Sequence, residues 1–293
     1  MGGSGGNSQS DGGSGTNRGG RDGSIRVGGR ANAAPSHVPP RAQVLGVEVD
    51  CVSPDEAVAR CVEMVRSGRG GQVVTVNPEM VLACANDSQL AQAIAAADLV
   101  VPDGIGIVLG LRLLGYRVPG RVPGIELAEA LMREATLARQ SVFFVGAKPG
   151  IAEEAGRQIS LKVSGLRIAG VRHGYFGADE EPQVLEAIGH AGPAYVFVGL
   201  GAGKQEKWIA RARSASHGAY APGAVWVGIG GSFDVMSGTL KRAPAAWQRL
   251  GLEWAYRLIQ EPSRLRRMTA LPVFAARVAM QAVTGRGNAH RRS

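Results

Sequence analysis

The sequence predicts an α/β fold in which a mostly parallel, Rossmann-like sheet carries helices on both faces. Short apolar runs alternate with stretches of helical periodicity through most of the chain, and this order favours parallel strands joined by helices. Glycine or short polar residues follow directly after most of the apolar runs. Ligands bind at such strand ends in open α/β sheets, so we expect a ligand cleft there.

The first helix is predicted to begin at Ser53 and to run to about Arg66. Ser53 can cap it, the following proline fits its first turn, and Glu56 can complete a capping box. Further helices are predicted from about Ile151 and through Trp208. The predicted strands are, in chain order, Val73–Val76, Leu99–Pro102, Ser141–Val145, Leu166–Val171, Tyr195–Val198 and Ala224–Val227.

Composition divides the chain into four parts. Residues 1–41 are rich in Gly, Ser and Asn and poor in apolar residues, which predicts a disordered tail. Residues 42–240 are predicted to form the α/β core, because they carry the alternating pattern. Residues 241–285 are predicted to be a basic helical appendage, and residues 286–293 a disordered basic tail.

The positive charge is concentrated at the C-terminal end. Residues 241–293 hold 11 Lys or Arg against 2 Asp or Glu, whereas residues 42–240 carry a net charge of −3. Trp247, Trp254 and Tyr256 lie among these arginines. We therefore expect a localised anionic partner, which could be phospholipid, diphosphate or nucleic acid. The alternative is a solvated helix face followed by a disordered basic tail.

Other features concern the compartment. The three cysteines show no metal or redox spacing, which suits a reducing cytosol. The N-terminus has no apolar signal core, and the chain has no uncharged apolar run of about 18 residues. We therefore expect neither secretion nor a membrane-spanning helix. Residues 268–283 are apolar but interrupted, so they either lie in a membrane interface or dock as an amphipathic helix.

Short polar side chains close two of the predicted strands. Thr75 and Asn77 end one strand, and Asp103 follows another within Pro102-Asp-Gly104. This tripeptide is also an ordinary turn sequence. Partial burial would raise the pKa of Asp103 and make it a suitable general base for a hydroxyl group. We predict that these three side chains line one cleft.

A glycine-rich turn follows the strand that ends at Val198. Its sequence, Gly199-Leu-Gly-Ala-Gly-Lys204, lacks the third glycine of the dinucleotide fingerprint and does not match a Walker loop. Such a turn can still hold a diphosphate on the N–H groups of a helix N-terminus. Gln205 and Glu206 follow directly and favour a ligand, while a tight packing turn remains the alternative.

A set of motifs in a fixed order resembles one known family. The motifs are Thr75-x-Asn77, Pro102-Asp-Gly-Ile-Gly106, Arg121-Val-Pro-Gly124, Val145-Gly-Ala-Lys-Pro-Gly150, Gly174-Tyr-Phe176, Gly199-Leu-Gly201 with Lys204-Gln-Glu206, Gly228-x-Gly-Gly-x-Phe-Asp234, Arg242-Ala-Pro244, and Gly251-Leu-Glu-Trp254 through Arg267. Together they are similar to the WecG/TagA/CpsF glycosyltransferases, glycosyltransferase family 26, over roughly residues 43–267. One departure is Gly203, where the family usually has proline, and we expect a looser turn there.

The resemblance implies an inverting, metal-independent transferase. Such an enzyme moves N-acetylmannosamine or its uronic acid from UDP to a polyprenyl-diphosphate-linked sugar during synthesis of cell-surface polysaccharide or teichoic acid. It would work in the cytoplasm, peripherally bound to the inner face of the cell membrane. The resemblance also implies a tendency to self-associate and activation by membrane contact.

The resemblance also assigns residues. Asp103 would be the catalytic base, and Thr75 and Asn77 would position the sugar. The nucleotide-sugar pocket is expected at Gly146, Gly199, Gly201, Gln205, Glu206, Gly230 and Asp234. The lipid diphosphate is expected at Arg257, Arg264 and Arg267, because arginine binds phosphate oxygens in pairs.

Neither a metal site nor a cofactor is predicted. The sequence has no Asp-x-Asp pair, which many nucleotide-sugar enzymes use to hold a divalent cation, and its five histidines show no metal-ligand spacing. Helix N-termini and basic side chains would then hold the leaving diphosphate.

Two alternative functions stay open on the residues alone. One is a nucleotide- or nucleic-acid-binding protein that uses the basic C-terminal segment, although aromatics make up only 5% of the chain and no recognised nucleic-acid motif occurs. The other is a dinucleotide-dependent oxidoreductase, which the incomplete fingerprint disfavours.

Overall fold

The computed structural model describes residues 1–2, 41–216, 220–244, 246–247, 252–262 and 269–289. The chain divides into two units, Met1–Ser36 and His37–Ser293. Almost all of the first unit lies outside the described residues, and so does most of the predicted N-terminal tail. The described elements belong to the second unit.

Within the described residues, the strands of this unit form two sheets. A small antiparallel hairpin joins β1, Arg41–Val44, to β2, Val47–Asp50. The main sheet contains β3 Gly71–Val76, β4 Leu99–Pro102, β5 Ser141–Gly146, β6 Arg167–Arg172, β7 Tyr195–Gly199 and β8 Val225–Gly228. Its order is β4-β3-β8-β7-β5-β6, and every neighbouring pair is parallel. All the carboxyl ends therefore meet at one edge of the sheet.

Helices follow most of these strands. Their bounds are α1 Pro54–Arg66, α2 Pro78–Ala83, α3 Ser88–Ala95, α4 Ile105–Leu113, α5 Gly124–Leu137, α6 Ile151–Lys162, α7 Glu181–Ala191, α8 Lys204–Ser216, α9 Ser232–Met236, α10 Glu253–Gln260 and α11 Ala270–Ala289. The predicted α/β fold is confirmed, and each predicted strand agrees with the observed one to within two residues at either end.

The first helix begins as the sequence predicts. The Glu56 N–H donates to the Ser53 hydroxyl at 3.2 Å, and the Ser53 N–H donates to the Glu56 carboxylate at 2.7 Å. This capping box satisfies two backbone donors that the first turn would otherwise leave without partners.

Alternate residues of the strands fill two different layers. Phe144 and Phe197 point to one face and pack with Phe233 of α9, with Phe144 and Phe233 ring centroids 5.1 Å apart. Trp226 points to the other face, where its ring lies 5.8 Å from that of Trp208 in α8. Strands that are buried on both faces read as continuous apolar runs, which is why the sequence reveals them so clearly.

The long C-terminal helix α11 is docked on the core. Its Phe274 and Val278 are buried against the layer that contains α2 and α4, and the Leu45 N–H donates to the Gln281 side chain at 3.0 Å. The sequence left two alternatives for residues 268–283, a segment in the membrane interface or a docked helix. Over residues 270–283 the structure shows the docked helix. The helix continues to Ala289, into the segment predicted as a separate tail. Within the described ranges, no helix is long and apolar enough to cross a membrane.

Candidate active site

A cleft of about 1320 Å³ opens at the carboxyl edge of the sheet. It brings together nine of the residues predicted from the sequence: Thr75, Asn77, Asp103, Gly199, Gly201, Gln205, Gly230, Asp234 and Arg257. Gly146 and Glu206 lie behind its wall and do not line it. Arg264 and Arg267 lie outside the described residues. The cleft therefore unites residues that lie far apart in the chain, from β3 to α10.

Asp103 lines the cleft. It directly follows β4, and its backbone N–H donates to the carbonyl of Val76 at the end of β3, at 2.8 Å. The neighbouring Pro102 carbonyl accepts from Val122 at 2.7 Å. These bonds fix the backbone on both sides, so the carboxyl group is held at the carboxyl end of two adjacent strands.

The surroundings of Asp103 raise its pKa. Burial raises the pKa of this carboxyl from 3.8 to about 6, because protein atoms surround it on most sides even though part of the residue still faces the cleft. Arg257 and Arg121 lower the pKa by their positive charge, whereas Glu253 and Glu126 raise it. A carboxylate with a pKa near 6 is ionised at neutral pH and is a stronger base than an exposed aspartate.

An ion pair fixes the approach of α10 to the core. Arg121, which precedes α5, pairs with Glu253 in the first turn of α10. A second pair joins Arg242 to Glu126 of α5. Arg257, one turn after Glu253 in α10, lines the cleft, and its positive charge lowers the pKa of Asp103. Arg121 and Glu253 were quoted in sequence motifs, yet no sequence signal assigned them this role.

Thr75 and Asn77 are each partly engaged by the protein. The Thr75 hydroxyl is buried and donates to the Gly228 carbonyl of β8 at 3.1 Å. The Asn77 side-chain oxygen caps α2 by accepting from the Met80 N–H at 3.0 Å. Thr75 therefore ties two strands together at the cleft floor. The cap leaves the amide nitrogen of Asn77 as the group that can meet a ligand.

Gln205 and Glu206 form a buried clamp on the glycine turns. The Gln205 amide nitrogen donates to the Glu206 carboxylate at 2.8 Å, and the Gln205 oxygen accepts from the Gly230 N–H at 3.0 Å. Glu206 is fully buried, and burial raises the pKa of its carboxyl. The pair fastens the β8–α9 turn to the start of α8. Only one edge of Gln205 lines the cleft, while Glu206 supports it from behind.

Gly203 lies in the turn that is expected to be looser. Its φ of 83° lies in the left-handed region, and its N–H donates to the Glu206 carboxylate at 2.7 Å. Proline can do neither, because its ring fixes φ near −65° and it has no N–H group. The glycine therefore gives the turn a backbone conformation and a hydrogen bond that proline cannot provide, and the looser turn stays a prediction.

Gly146 serves the close approach of two strand ends. A Cβ atom at Gly146 would lie 2.5 Å from the carbonyl group of Gly199, and its φ is 138°. A Cβ at Gly174 would lie 3.0 Å from the Cα of Gly146. Any side chain at Gly146 would therefore force β5 and β7 apart and distort the glycine-rich turn beside them.

One end of the cleft, here called the polar arm, follows the strand ends of β5 to β7. It is lined by Lys148, Tyr175, Lys204, Trp208 and Arg211. Arg211 lies 3.5 Å from Glu181, whereas Lys148 and Lys204 have no ion-pair partner among the described residues. The buried indole N–H of Trp208 likewise lacks a hydrogen-bond partner in the described part of the chain. This arm offers cations and backbone amides at the start of α8.

The other end, here called the apolar arm, runs between α4 and α11. Its lining is Ile105, Gly106, Leu109, Gly110, Leu113, Ala270, Leu271, Phe274, Ala275 and Val278. None of these side chains carries a charge or a hydrogen-bonding group. The sequence motif around Asp103 ends at Gly106, so Leu109 and Leu113 were not predicted to line the cleft. The signal that could have revealed them is the apolar face of α4 that follows directly after a polar site.

The described residues provide neither a metal-binding cluster nor an activated thiol. Within the described ranges, no group of three or more His, Cys, Asp or Glu side chains is arranged to hold a metal ion. Cys51, Cys61 and Cys84 are free thiols, and burial raises the pKa of Cys84 to about 11. A thiol with such a pKa is a poor nucleophile at neutral pH.

Comparison with known proteins identifies the group to which this cleft belongs. Residues 42–288 match the Glycosyl transferase WecG/TagA/CpsF family. A relative from Bacillus subtilis (strain 168) is 37% identical over 209 residues, which cover 71% of this chain and 79% of the relative. A relative from Bacillus spizizenii is 36% identical over 210 residues, with 72% and 79% covered.

The names of the two relatives describe their activity. Each is an N-acetylglucosaminyldiphosphoundecaprenol N-acetyl-beta-D-mannosaminyltransferase, an enzyme that transfers an aminohexose. The matched region contains every element of the cleft described above, from β3 to α11. The chain therefore belongs to the WecG/TagA/CpsF family of glycosyl transferases, and it is a hexosyltransferase.

Proposed function

We propose that this chain transfers N-acetylmannosamine, or its uronic acid, from UDP to a polyprenyl-diphosphate-linked N-acetylglucosamine. The names of the two relatives support the acceptor and the transferred group. The observation that carries the proposal is the position of Asp103, a carboxylate with a pKa of about 6 where the polar and apolar arms meet. Two substrates that enter by different arms would react there.

Asp103 is the proposed general base. Its carboxylate accepts the proton of the acceptor hydroxyl while the hydroxyl oxygen forms a bond to C1 of the donor sugar. The bond between C1 and the diphosphate oxygen breaks on the opposite face, and the electron pair leaves with UDP. A single displacement of this kind inverts the configuration at C1. General-base catalysis of this type contributes on the order of 10²–10⁴-fold to the rate.

The polar arm is the proposed donor site. The N-terminus of α8 and the glycine turn at Gly201 present backbone N–H groups, and Lys148 and Lys204 add positive charge. These groups suit a diphosphate whose negative charge increases as it leaves. We propose that they stabilise it without a divalent cation. Thr75 and Asn77 then contact the sugar, and Asp234 with Gly230 completes the pocket.

The acceptor diphosphate is proposed to bind at Arg257. This residue lies in the cleft wall and acts electrostatically on Asp103. Arg264 and Arg267 are proposed to join it, because they follow α10 by only a few residues in the sequence. Their planar guanidinium groups bind phosphate oxygens in pairs. A lipid acceptor would place the enzyme in the cytoplasm, on the inner face of the membrane.

Membrane contact and self-association complete the proposal. The first turns of α10 carry Trp254, which is partly exposed, and the ring of Tyr256 lies 5.7 Å from that of Trp247. Aromatic and arginine side chains together are typical of surfaces that meet phospholipid headgroups. We propose that binding there orders the cationic segment around the acceptor, and that the free protein forms homo-oligomers.

The test is product formation by the purified protein. It is incubated with a panel of UDP-sugars and a short-chain diphosphate-linked N-acetylglucosamine in detergent, in parallel reactions with and without a chelator. We expect release of UDP and a disaccharide product with UDP-N-acetylmannosamine or its uronic acid. A product with retained configuration, or no UDP release with any donor despite acceptor binding, would overturn the proposal. Product formation that stops when the chelator is added would overturn metal independence alone.

A further inference from the structure

The apolar arm begins directly beside the proposed base. Ile105 and Gly106 form the first turn of α4, immediately after Asp103 and Gly104. Leu109 and Leu113 follow at intervals of one helical turn along the same wall. The wall therefore extends about 12 Å along the helix axis from Ile105 to Leu113. A ligand whose head lies at Asp103 can extend its tail along this wall.

Helix α11 supplies the opposite wall. A Cβ atom at Gly110 would lie 3.0 Å from the Phe274 ring, and one at Gly106 would lie 3.9 Å from Leu271. Gly110 thus allows α11 to lie close to α4, with Phe274 and Val278 buried at the contact, whereas a Cβ at Gly106 would be in ordinary contact with α11. Ala275, which is exposed and lines the cleft, leaves room beside this contact. The result is an open channel with apolar walls.

This channel leaves apolar side chains in water when it is empty. Leu109 is 56% exposed and Leu113 is 50% exposed, although both line the cleft. Grouped apolar side chains of this kind at the surface mark binding sites for apolar ligands. The inner end of the channel meets Asp103 and Arg257, which provides a cation for an anionic head. The occupant that fits both ends is an anionic amphiphile with a long hydrocarbon tail.

We infer that the apolar arm binds the first isoprene units of the acceptor's polyprenyl chain. This inference rests on the proposed function, and it assigns to the fold a recognition site for the lipid itself, apart from its diphosphate. The relatives act on an undecaprenol-linked substrate by name, and a chain of that kind has the required length and polarity. The apolar arm lies within the protein, so it can bind the lipid chain in the absence of a bilayer.

Binding of two acceptors tests the inference. Both carry N-acetylglucosamine diphosphate; one ends in an ethyl group and the other in a farnesyl group, and both stay below their aggregation concentration without detergent or vesicles. Calorimetry gives the two dissociation constants, and the readout does not depend on turnover. We expect the farnesyl compound to bind at least roughly tenfold more tightly, because it buries several more apolar groups.

Three variants locate the effect. Ala275→Trp fills the channel and is expected to reduce the farnesyl preference to about twofold or less. Ala276→Trp is the matched control, because Ala276 is the neighbouring exposed alanine of α11 and does not line the cleft. The control should keep the full preference, and thermal unfolding checks that both variants fold. Leu109→Gln provides an independent change on the α4 wall, and it should also reduce the preference.

The outcomes separate this inference from the proposed function. Equal affinity for the two acceptors, or the same farnesyl preference in Ala275→Trp and Ala276→Trp, would overturn the inference. A preference that Ala275→Trp removes would support the inference even if no sugar transfer were observed. In that case the proposed function alone would fail.

Discussion

The two arms of the cleft are built by different means. The polar arm is lined by charged and aromatic side chains, but its shape is set by the backbone around it: glycines at strand ends and a helix N-terminus, fastened by the buried Gln205–Glu206 clamp. The apolar arm is made of side chains on two helices that pack closely at Gly110. A site whose shape is fixed by the backbone suits a compact, highly charged ligand. A helix-lined channel suits a flexible hydrocarbon, which needs contact area more than fixed donors.

The largest expected effect is at the junction of the arms. Asp103→Asn removes the proposed base and should lower kcat by about a thousandfold, while the affinity for UDP stays within twofold because the polar arm is intact. The exposed Asp55→Asn in α1 is the control. Steady-state kinetics and UDP titration measure the two quantities, and an active Asp103→Asn enzyme would contradict the assignment.

The same variant should become more stable at neutral pH. The folded-state pKa of Asp103 is raised to about 6 from 3.8, so the folded protein holds this proton more tightly than the unfolded chain does. Ionising the buried carboxyl therefore costs stability, and the full cost is present above pH 6. The gain in Tm for Asp103→Asn should be clear at pH 7.5 and should vanish as the pH falls towards 4.

A substitution that disturbs the backbone beside the polar arm should destabilise the protein. Gly146→Ala puts a Cβ atom 2.5 Å from the Gly199 carbonyl group, and we expect a loss of about 3 kcal/mol in the free energy of unfolding. Gly120→Ala is the control, since a Cβ there meets no atom within 4 Å and its φ is not positive. Denaturant unfolding measures both, and equal losses would contradict the close approach described here.

The cationic end of the apolar arm should respond through charge. Arg257→Gln is expected to lower kcat/KM for the acceptor by about thirtyfold, because one charge-assisted contact with the diphosphate is lost. The KM for the donor should change little. Arg277→Gln, which removes an exposed arginine of α11 that does not line the cleft, is the control. A similar loss in both variants would indicate a general surface effect.

The smallest expected effect is in the pH profile. Because Asp103 must be ionised to act as the base, kcat/KM of the wild-type enzyme should fall below about pH 6, roughly tenfold per unit. Arg257 lowers the pKa of Asp103, so Arg257→Gln should move the midpoint of this fall to higher pH. A profile that is flat between pH 4.5 and 7.5 would contradict the role of Asp103.

The sequence predicted the cleft residues at the strand ends far better than those of the apolar arm. Thr75, Asn77 and Asp103 were visible because each closes an apolar run, and strand ends meet at one edge of a parallel sheet. Glycines with positive φ, such as Gly201 and Gly230, mark the turns. These signals are local in the chain, and a parallel sheet converts them directly into a shared site.

The remaining parts of the site depend on long-range packing. The ion pair between Arg121 and Glu253 joins residues 132 positions apart, and no periodicity predicts which arginine meets which glutamate. The same holds for α11, whose residues the sequence could place either in a membrane interface or against the core. Gln205 and Glu206 were predicted to meet a ligand. The structure shows in addition that their side chains hydrogen-bond to each other and to the N–H groups of Gly203 and Gly230, which no local sequence pattern predicted.

Simultaneous binding tests the two-arm account most directly. The farnesyl acceptor is titrated by calorimetry into the enzyme alone and into the enzyme saturated with UDP. Separate arms predict that both ligands bind together and that the acceptor dissociation constant changes by less than about threefold, which corresponds to a coupling below about 0.7 kcal/mol. Mutually exclusive binding, with no acceptor heat in the presence of UDP, would mean that one shared site holds both ligands and would contradict the account.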